Sequence, residues 1–169
     1  GEDARTRIYA ATSTDGLSFV REASDLVQSG ESWDDLGQYP HSAEVLDSGD
    51  IWLWYAGDNG SRLRIGAASS TDGGLTFSPE AGDGQGYQFA PGEPGTFDDS
   101  GVKDPFVFRA GDTTAMYYSG FDGNLWHIGY AERGANGWTR RTNPHTGDGI
   151  PAMSGVSGSF SVGGTQSPV

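Results

Sequence analysis

The chain has 169 residues, with 28 Gly, 8 Pro, 5 Trp, 7 Tyr and 8 Phe, enough for one domain with a core and too few for a second full one. Ten Lys and Arg against 23 Asp and Glu give a formal charge of −13, which excludes nucleic acid and anionic membrane as partners, since phosphate binding needs basic side chains. The absence of cysteine removes disulfides, a thiol nucleophile and Cys-based zinc sites, and no apolar run approaches the ~20 residues of a membrane span.

Neutral sugars, other polyols or cations remain as ligands. The composition does not fix a compartment, and an extracellular or periplasmic setting is favoured over others. Lysine is nearly absent and long helix-forming periodic stretches are missing, so helices have little material to form from. Short aromatic and β-branched runs between Gly, Asp, Asn and Ser clusters predict an all-β domain.

Taken in chain order, those runs repeat. "RIYAATSTDGLSF" (7–19) returns as "RIGAASSTDGGLTF" (64–77), and "SWDDLGQYPHSAEVLDSGDIWLWYAG" (32–57) as "TFDDSGVKDPFVFRAGDTTAMYYSG" (96–120). "RLRIGAAS" (62–69) returns as "LWHIGYAE" (125–132), and "GTFDDSGVKDPF" (95–106) as "GSFSVGGTQSPV" (158–169). The period is 57–64 residues. In the best-preserved copy four strands are predicted, A over Ser42–Leu46, B over Ile51–Ala56, C over Arg64–Ser69 and D from near Phe77. Four antiparallel strands per repeat make a blade, and radial repetition of blades makes a β-propeller. The division expected is strands C and D of a first blade in 1–30, full blades in 31–80 and 81–142, and a loop with the start of the next blade in 143–169.

Strand direction alternates, so the D–A loops, the starts of the A strands and the B–C loops share one face. That face collects Trp33, Asp34, Asp35, His41 and Asp58 from one blade, and Phe97, Asp98, Asp99, Lys103, Asp104, Phe121 and Asp122 from the next. Carboxylates and aromatic rings around one funnel suit a sugar, whose hydroxyls bond to the former and whose CH faces stack on the latter. The recurring pairs Asp34-Asp35 and Asp98-Asp99 suit loop capping or a structural calcium ion, since hard cations take clustered carboxylates. No other cofactor is implied. His41 and His127 read as polar packing, and Trp54-Tyr55 and Tyr117-Tyr118 as blade core. Asp104 sits before Pro105 at the start of an innermost strand, where proline is tolerated.

Two resemblances follow. "SSTDGGLTF" resembles the Asp-box of sialidases, in which an Asp and a Gly lock the C–D turn, a structural role on the face opposite the mouth. "KDPFVFRAGDTTAMYYSG" resembles the signature of five-bladed propeller glycosidases, including the arabinanase/xylosidase, invertase and mannoside phosphorylase groups and related uncharacterised glycosidases. The resemblance implies a carbohydrate ligand, with Asp104 as general base, nucleophile or pKa modulator. Hydrolysis needs a second carboxylate of different pKa, for which Glu44 is the candidate. The repeat equivalents of Asp104 read as Ser42 or His41, and Ser167. The reading is therefore a glycosidase-like propeller that binds carbohydrate and hydrolyses a glycosidic bond if the carboxylate pair is complete. A non-catalytic carbohydrate-binding or assembly module is the alternative, and a sialidase-like Asp-box protein the third. Five blades of about 60 residues need about 300, so the chain holds part of a ring, and its open blade faces are expected to self-associate.

Overall fold

A computed structural model describes residues 5–22, 25–28, 32–82, 85–141 and 153–154. Every regular element among them is a strand. Strands β1 (Ala11–Thr12) and β2 (Val20–Arg21) form an antiparallel hairpin. Next comes an antiparallel sheet in the order β3 (Gly37–Val45), β4 (Ile51–Asp58), β5 (Leu63–Ser70) and β6 (Ser78–Pro79). A second such sheet runs β7 (Gly101–Ala110), β8 (Thr113–Phe121), β9 (Trp126–Gly134) and β10 (Gly137–Arg140). A short β11 (Met153–Ser154) continues the outer edge of β9, with Met153 opposite Ile128. This all-β arrangement is a partial β-propeller. The expected A, B, C and D strands of the best-preserved copy correspond to β3 to β6, with A starting earlier than the sequence indicated, at Gly37.

The outermost strand is built in two pieces in each blade. After β6 the chain leaves β5 and returns at Phe89, whose backbone bonds to Ile65. In the next blade β10 leaves β9 and β11 returns opposite Ile128, the repeat partner of Ile65. The edge thus takes strand from beyond residues 80 and 142.

The blades stack face to face. Ile8 and Val27 of the first pack with Trp33, Leu53, Tyr55 and Ala68 of the second. On the other side of the second blade, Trp54, Ile65 and Ala67 pack with Val102, Val107, Met116, Tyr118 and Ala131 of the third. Alternation along each strand supplies this two-faced burial, because successive side chains point to opposite sides of a sheet.

Within each blade an aromatic ring from the D–A loop folds back over the B strand. Trp33 stacks on Tyr55 at 5.6 Å, and Phe97 on Tyr118 at 6.1 Å. The close fit requires glycine beneath, since a Cβ at Gly57 would come within 2.1 Å of the Trp33 ring and one at Gly120 within 2.8 Å of Phe97.

The C–D turns are closed by carboxylates. Asp15 accepts from the Leu17 and Ser18 amides at 2.8 Å, and Asp72 from the Leu75 and Thr76 amides at 3.0 Å and the Thr76 hydroxyl at 2.6 Å. The Ser18 and Leu17 amides and the Ser13 hydroxyl lower the Asp15 pKa from 3.8 to about 2, and Thr76 and Ser70 hold Asp72 well below its ordinary value. A carboxylate with a depressed folded pKa contributes stability above its unfolded pKa, and that contribution is lost as pH falls through the folded pKa. Thermal unfolding between pH 4 and pH 2 should therefore show a decline that is smaller in Asp72→Asn than in the parent. Parallel acid profiles for the two proteins would refute the staple role.

Candidate functional site

The strand pairing defines two ends. Gly37 pairs with Asp58 and Gly101 with Phe121, so both innermost strands begin beside the B–C turns. At the far end Ile51 pairs with both Val45 and Ser70, which puts the A–B and C–D turns together.

Both innermost strands carry a bulge near their start, between Pro40 and Ser42 and between Lys103 and Phe106. The register fixes their equivalence. Tyr39 pairs with Ala56 where Lys103 pairs with Ser119, and Ser42 with Trp54 where Phe106 pairs with Tyr117. Asp104-Pro105 therefore occupy the places of Pro40-His41, which corrects the alignment of Asp104 with Ser42 or His41. The one-residue slip between strands A and B lies in their turn, Leu46–Asp50 in one blade and the tighter Gly111-Asp112 in the other.

At its bulge Asp104 has φ 54°, the only positive φ at a non-glycine among the described residues. Asp tolerates the left-handed region better than most residues, and a following proline disfavours the right-handed helical alternative. The bulge is held across the blade boundary, where the Ser42 hydroxyl donates to the Pro105 carbonyl at 2.8 Å. It turns the carboxylate, 7% exposed, toward its neighbours. Asp104 Oδ1 lies 3.3 Å from His41 Nε2, and Oδ2 lies 3.5 Å from Lys103 Nζ.

These groups line a cavity of about 240 Å³ between the two innermost strands, with Tyr39, Ala56, Asp58 and Leu63. A second recess of about 310 Å³ shares Asp58 and Leu63 and is walled by Phe121 and Trp126. Lys103, the chain's single lysine, joins the two, its ammonium 4.4 Å above the Trp126 ring, which stacks on Phe121 at 4.8 Å. Burial pushes the His41 pKa below its ordinary value, against the pull of Asp104 and with the help of Lys103. His41 is therefore a neutral imidazole at pH 7. A carboxylate, an ammonium, a neutral imidazole and a pair of stacked rings around one groove can bond to hydroxyls and cover an apolar sugar face.

The other residues expected at the mouth do not line this groove. Trp33, Asp34 and Asp98 are buried inside the blades, and Phe97 is largely covered there. Asp34 accepts from the Gln38 amide at 2.8 Å and the Tyr55 hydroxyl at 3.3 Å. Asp98, 0% exposed, accepts from Tyr118 at 2.9 Å, Arg140 at 2.7 Å and Thr96 at 3.0 Å. Burial, then the Asp98 charge, pushes the Tyr118 pKa up and keeps its hydroxyl a donor. Asp35 is exposed, and its carbonyl accepts from Arg7. Asp99 caps the Gly95 amide and bonds to Ser100, and these two contacts lower its pKa. Partial burial pushes the Asp122 pKa up, but bonds from Leu125, His127 and Asn124 outweigh it and leave the pKa below its ordinary value.

Glu44 stands at the other end of β3, in a recess with Leu46, Asp47 and Arg109, so it does not share the Asp104 cavity. Among the described residues no three His, Asp or Glu side chains converge on a metal position. Arg140, at the end of the outer strand β10, reaches the buried Asp98. The groove residues absent from the expected set are Tyr39, Leu63 and Trp126, whereas Asp58 was expected there. Leu63 and Trp126 occupy one repeat position at the start of strand C, beside the mouth-facing B–C turn, and that position was the available signal.

The sheets and their stacking define a partial β-propeller. Among solved structures the chain is similar to a glycosyl hydrolase from Bacteroides ovatus, at 23% identity and TM-score 0.52 over 64% of this chain and 32% of that one. It is also similar to a structure of the GH130 family of mannoside phosphorylases, a family that contains glycoside hydrolases targeting β-1,2 mannosidic linkages in Candida mannan, at 22% identity and TM-score 0.53 over 64% and 32%. A third is a family 117 glycoside hydrolase from the marine bacterium Zobellia galactanivorans, at 16% identity and TM-score 0.50 over 61% and 37%. The chain spans about a third of the length of these structures. No family model and no curated relative matches the sequence.

Proposed function

We propose that the groove between the innermost strands binds carbohydrate, with Asp104 accepting sugar hydroxyls, Lys103 and His41 as its polar neighbours, and Trp126 and Phe121 as a stacking platform. The observation that carries this reading is the bulge at Asp104. A left-handed backbone, uncommon at any residue but glycine, is kept where it turns a carboxylate into a cavity lined by two blades, and sparsely populated conformations of this kind collect at functional sites. The likeness to glycoside hydrolases supports the ligand class and makes mannose-containing glycans the first to test.

Hydrolysis needs an acid and a base or nucleophile. Asp58, the second carboxylate of the cavity, accepts from the Gly60 amide at 2.7 Å and so closes its own B–C turn. With Asp58 engaged in its turn and Glu44 in a different recess, the groove of this chain supports binding better than turnover, and a catalytic acid would have to come from another part of the ring. A panel of immobilised glycans, followed by measurement of released reducing ends, separates the cases. Binding without release supports a carbohydrate-binding module, binding with release supports a hydrolase, and no binding across the panel overturns both.

A further inference from the structure

Consecutive residues of a strand point to opposite faces, yet the Lys103 and Asp104 side chains meet. The left-handed backbone at Asp104 turns its carboxylate back toward its neighbour, and Lys103 Nζ lies 3.5 Å from Asp104 Oδ2. The same ammonium lies 4.4 Å from the centre of the Trp126 ring, which stacks on Phe121 at 4.8 Å. Register explains the reach. Lys103 pairs with Ser119, and Phe121, two residues along β8, pairs with Trp126, so all three side chains rise from one face of the third blade. A carboxylate beside an aromatic ring is a setting that attracts an ammonium ion, and here the chain supplies the ammonium itself. It does so with its single lysine, the nine remaining Lys and Arg positions all being arginine. An ammonium is a compact point charge where a guanidinium is a broad plane.

We infer that Lys103 is the specificity-determining residue of the groove: it fills the groove's cation site and so turns protonated amino sugars and other organic ammonium ions away in favour of neutral sugars. The inference rests on the carbohydrate reading of the groove for its ligand, and on the Asp104–Lys103–Trp126 geometry alone for the cation site. Charge around the groove points the same way. Its charged lining consists of Asp58, Asp104, Lys103 and Arg62, and Arg62 stands near enough to Asp99 to lower the pKa of that carboxylate. Without the Lys103 charge, two carboxylates and an aromatic pair would face the ligand in a chain of net charge −13, a field that concentrates cations. With it, an incoming ammonium meets a like charge held 3.5 Å from the carboxylate it needs, and a binding site gains specificity by repelling the wrong ligand. A neutral hydroxyl meets no such repulsion. It can share the Asp104 carboxylate with the ammonium, because a carboxylate accepts several bonds.

Methylammonium chloride tests the cation site without any sugar. In Lys103→Met, which keeps an unbranched stem and removes the charge, it should shift the Trp126 indole NMR signal saturably, whereas sodium chloride at equal concentration should not. Lys103→Gln should behave like Lys103→Met, and the parent chain and Lys103→Arg should show no saturable shift. Two sugars of nearly one shape then test selectivity by calorimetric titration: methyl α-mannoside, and methyl α-mannosaminide at a pH where its amine is protonated. The parent's preference for the neutral sugar should fall by about tenfold or more in Lys103→Met. A methylammonium shift of equal size in the parent and Lys103→Met, or none in either, would overturn the proposal, and so would an unchanged sugar preference. If neither sugar binds either protein, the carbohydrate reading of the groove falls, and the methylammonium result alone upholds or overturns Lys103 as the occupant of a cation site.

Discussion

Asp104→Asn should lower affinity for a glycan ligand by about ten- to a hundredfold and leave the urea midpoint unchanged. The substitution keeps the size and planarity of the side chain and removes its charge. Hydrogen bonds to a charged group are worth about 1.5–3 kcal/mol, and every 1.4 kcal/mol is about tenfold in affinity. Asn also tolerates the left-handed region that φ 54° requires, so the bulge survives. Asp104→Ala separates site from scaffold, because it adds a left-handed penalty of about 1–2 kcal/mol and should lose stability together with binding. Calorimetric titration and urea unfolding of both variants check the pair. Undiminished affinity in Asp104→Asn would remove Asp104 from the site.

The second large effect concerns the interior. Arg140→Ala should destabilise the fold by about 3–5 kcal/mol, the range for removing one partner of a buried ion pair. It would leave the Asp98 carboxylate, 0% exposed, with only the Tyr118 and Thr96 hydroxyls. It would also remove the guanidinium from the Phe89 ring, 4.1 Å away, and from the Ala90 carbonyl. Asp98→Asn should cost less, about 1–3 kcal/mol, because the Arg140 side chain is 34% exposed and can take water in place of the lost charge. Urea unfolding monitored by tryptophan fluorescence gives both values. A larger loss in Asp98→Asn than in Arg140→Ala would refute the assignment of Arg140 as the cation that makes a buried carboxylate tolerable.

Much of this architecture was legible in the sequence. The four-strand repeat follows from aromatic and β-branched runs punctuated by Gly and Asp, and the C–D staples follow from Ser, Asp and Gly at fixed spacing. Both are local signals. The site was legible only in part. Asp104, Lys103, His41 and Phe121 were found from the repeat and the direction of the strands, whereas Trp126 and Leu63 sit in a strand whose pattern reads as ordinary core. The acidic pairs were misplaced for one reason. Adjacent carboxylates look alike in a sequence, yet the Trp33 and Phe97 stacks fold their own loops inward, carry Asp34 and Asp98 into the blades and leave Asp35 and Asp99 outside.

The sequence by itself determined an all-β chain of repeating blades, the end at which the innermost strands begin, and a proline-flanked carboxylate at one of those beginnings. Periodicity of two and turn chemistry depend on neighbours within a few residues, and so survive without knowledge of packing. The tertiary structure decided the register of the bulge that twists Asp104 out of line, the pairing of His41 with a carboxylate 63 residues away, and the displacement of Glu44 to the opposite end. Each of these depends on how one sheet is rotated and slid against the next. A single residue of slip moves a side chain to the other face of its sheet, and nothing local in the chain specifies that slip.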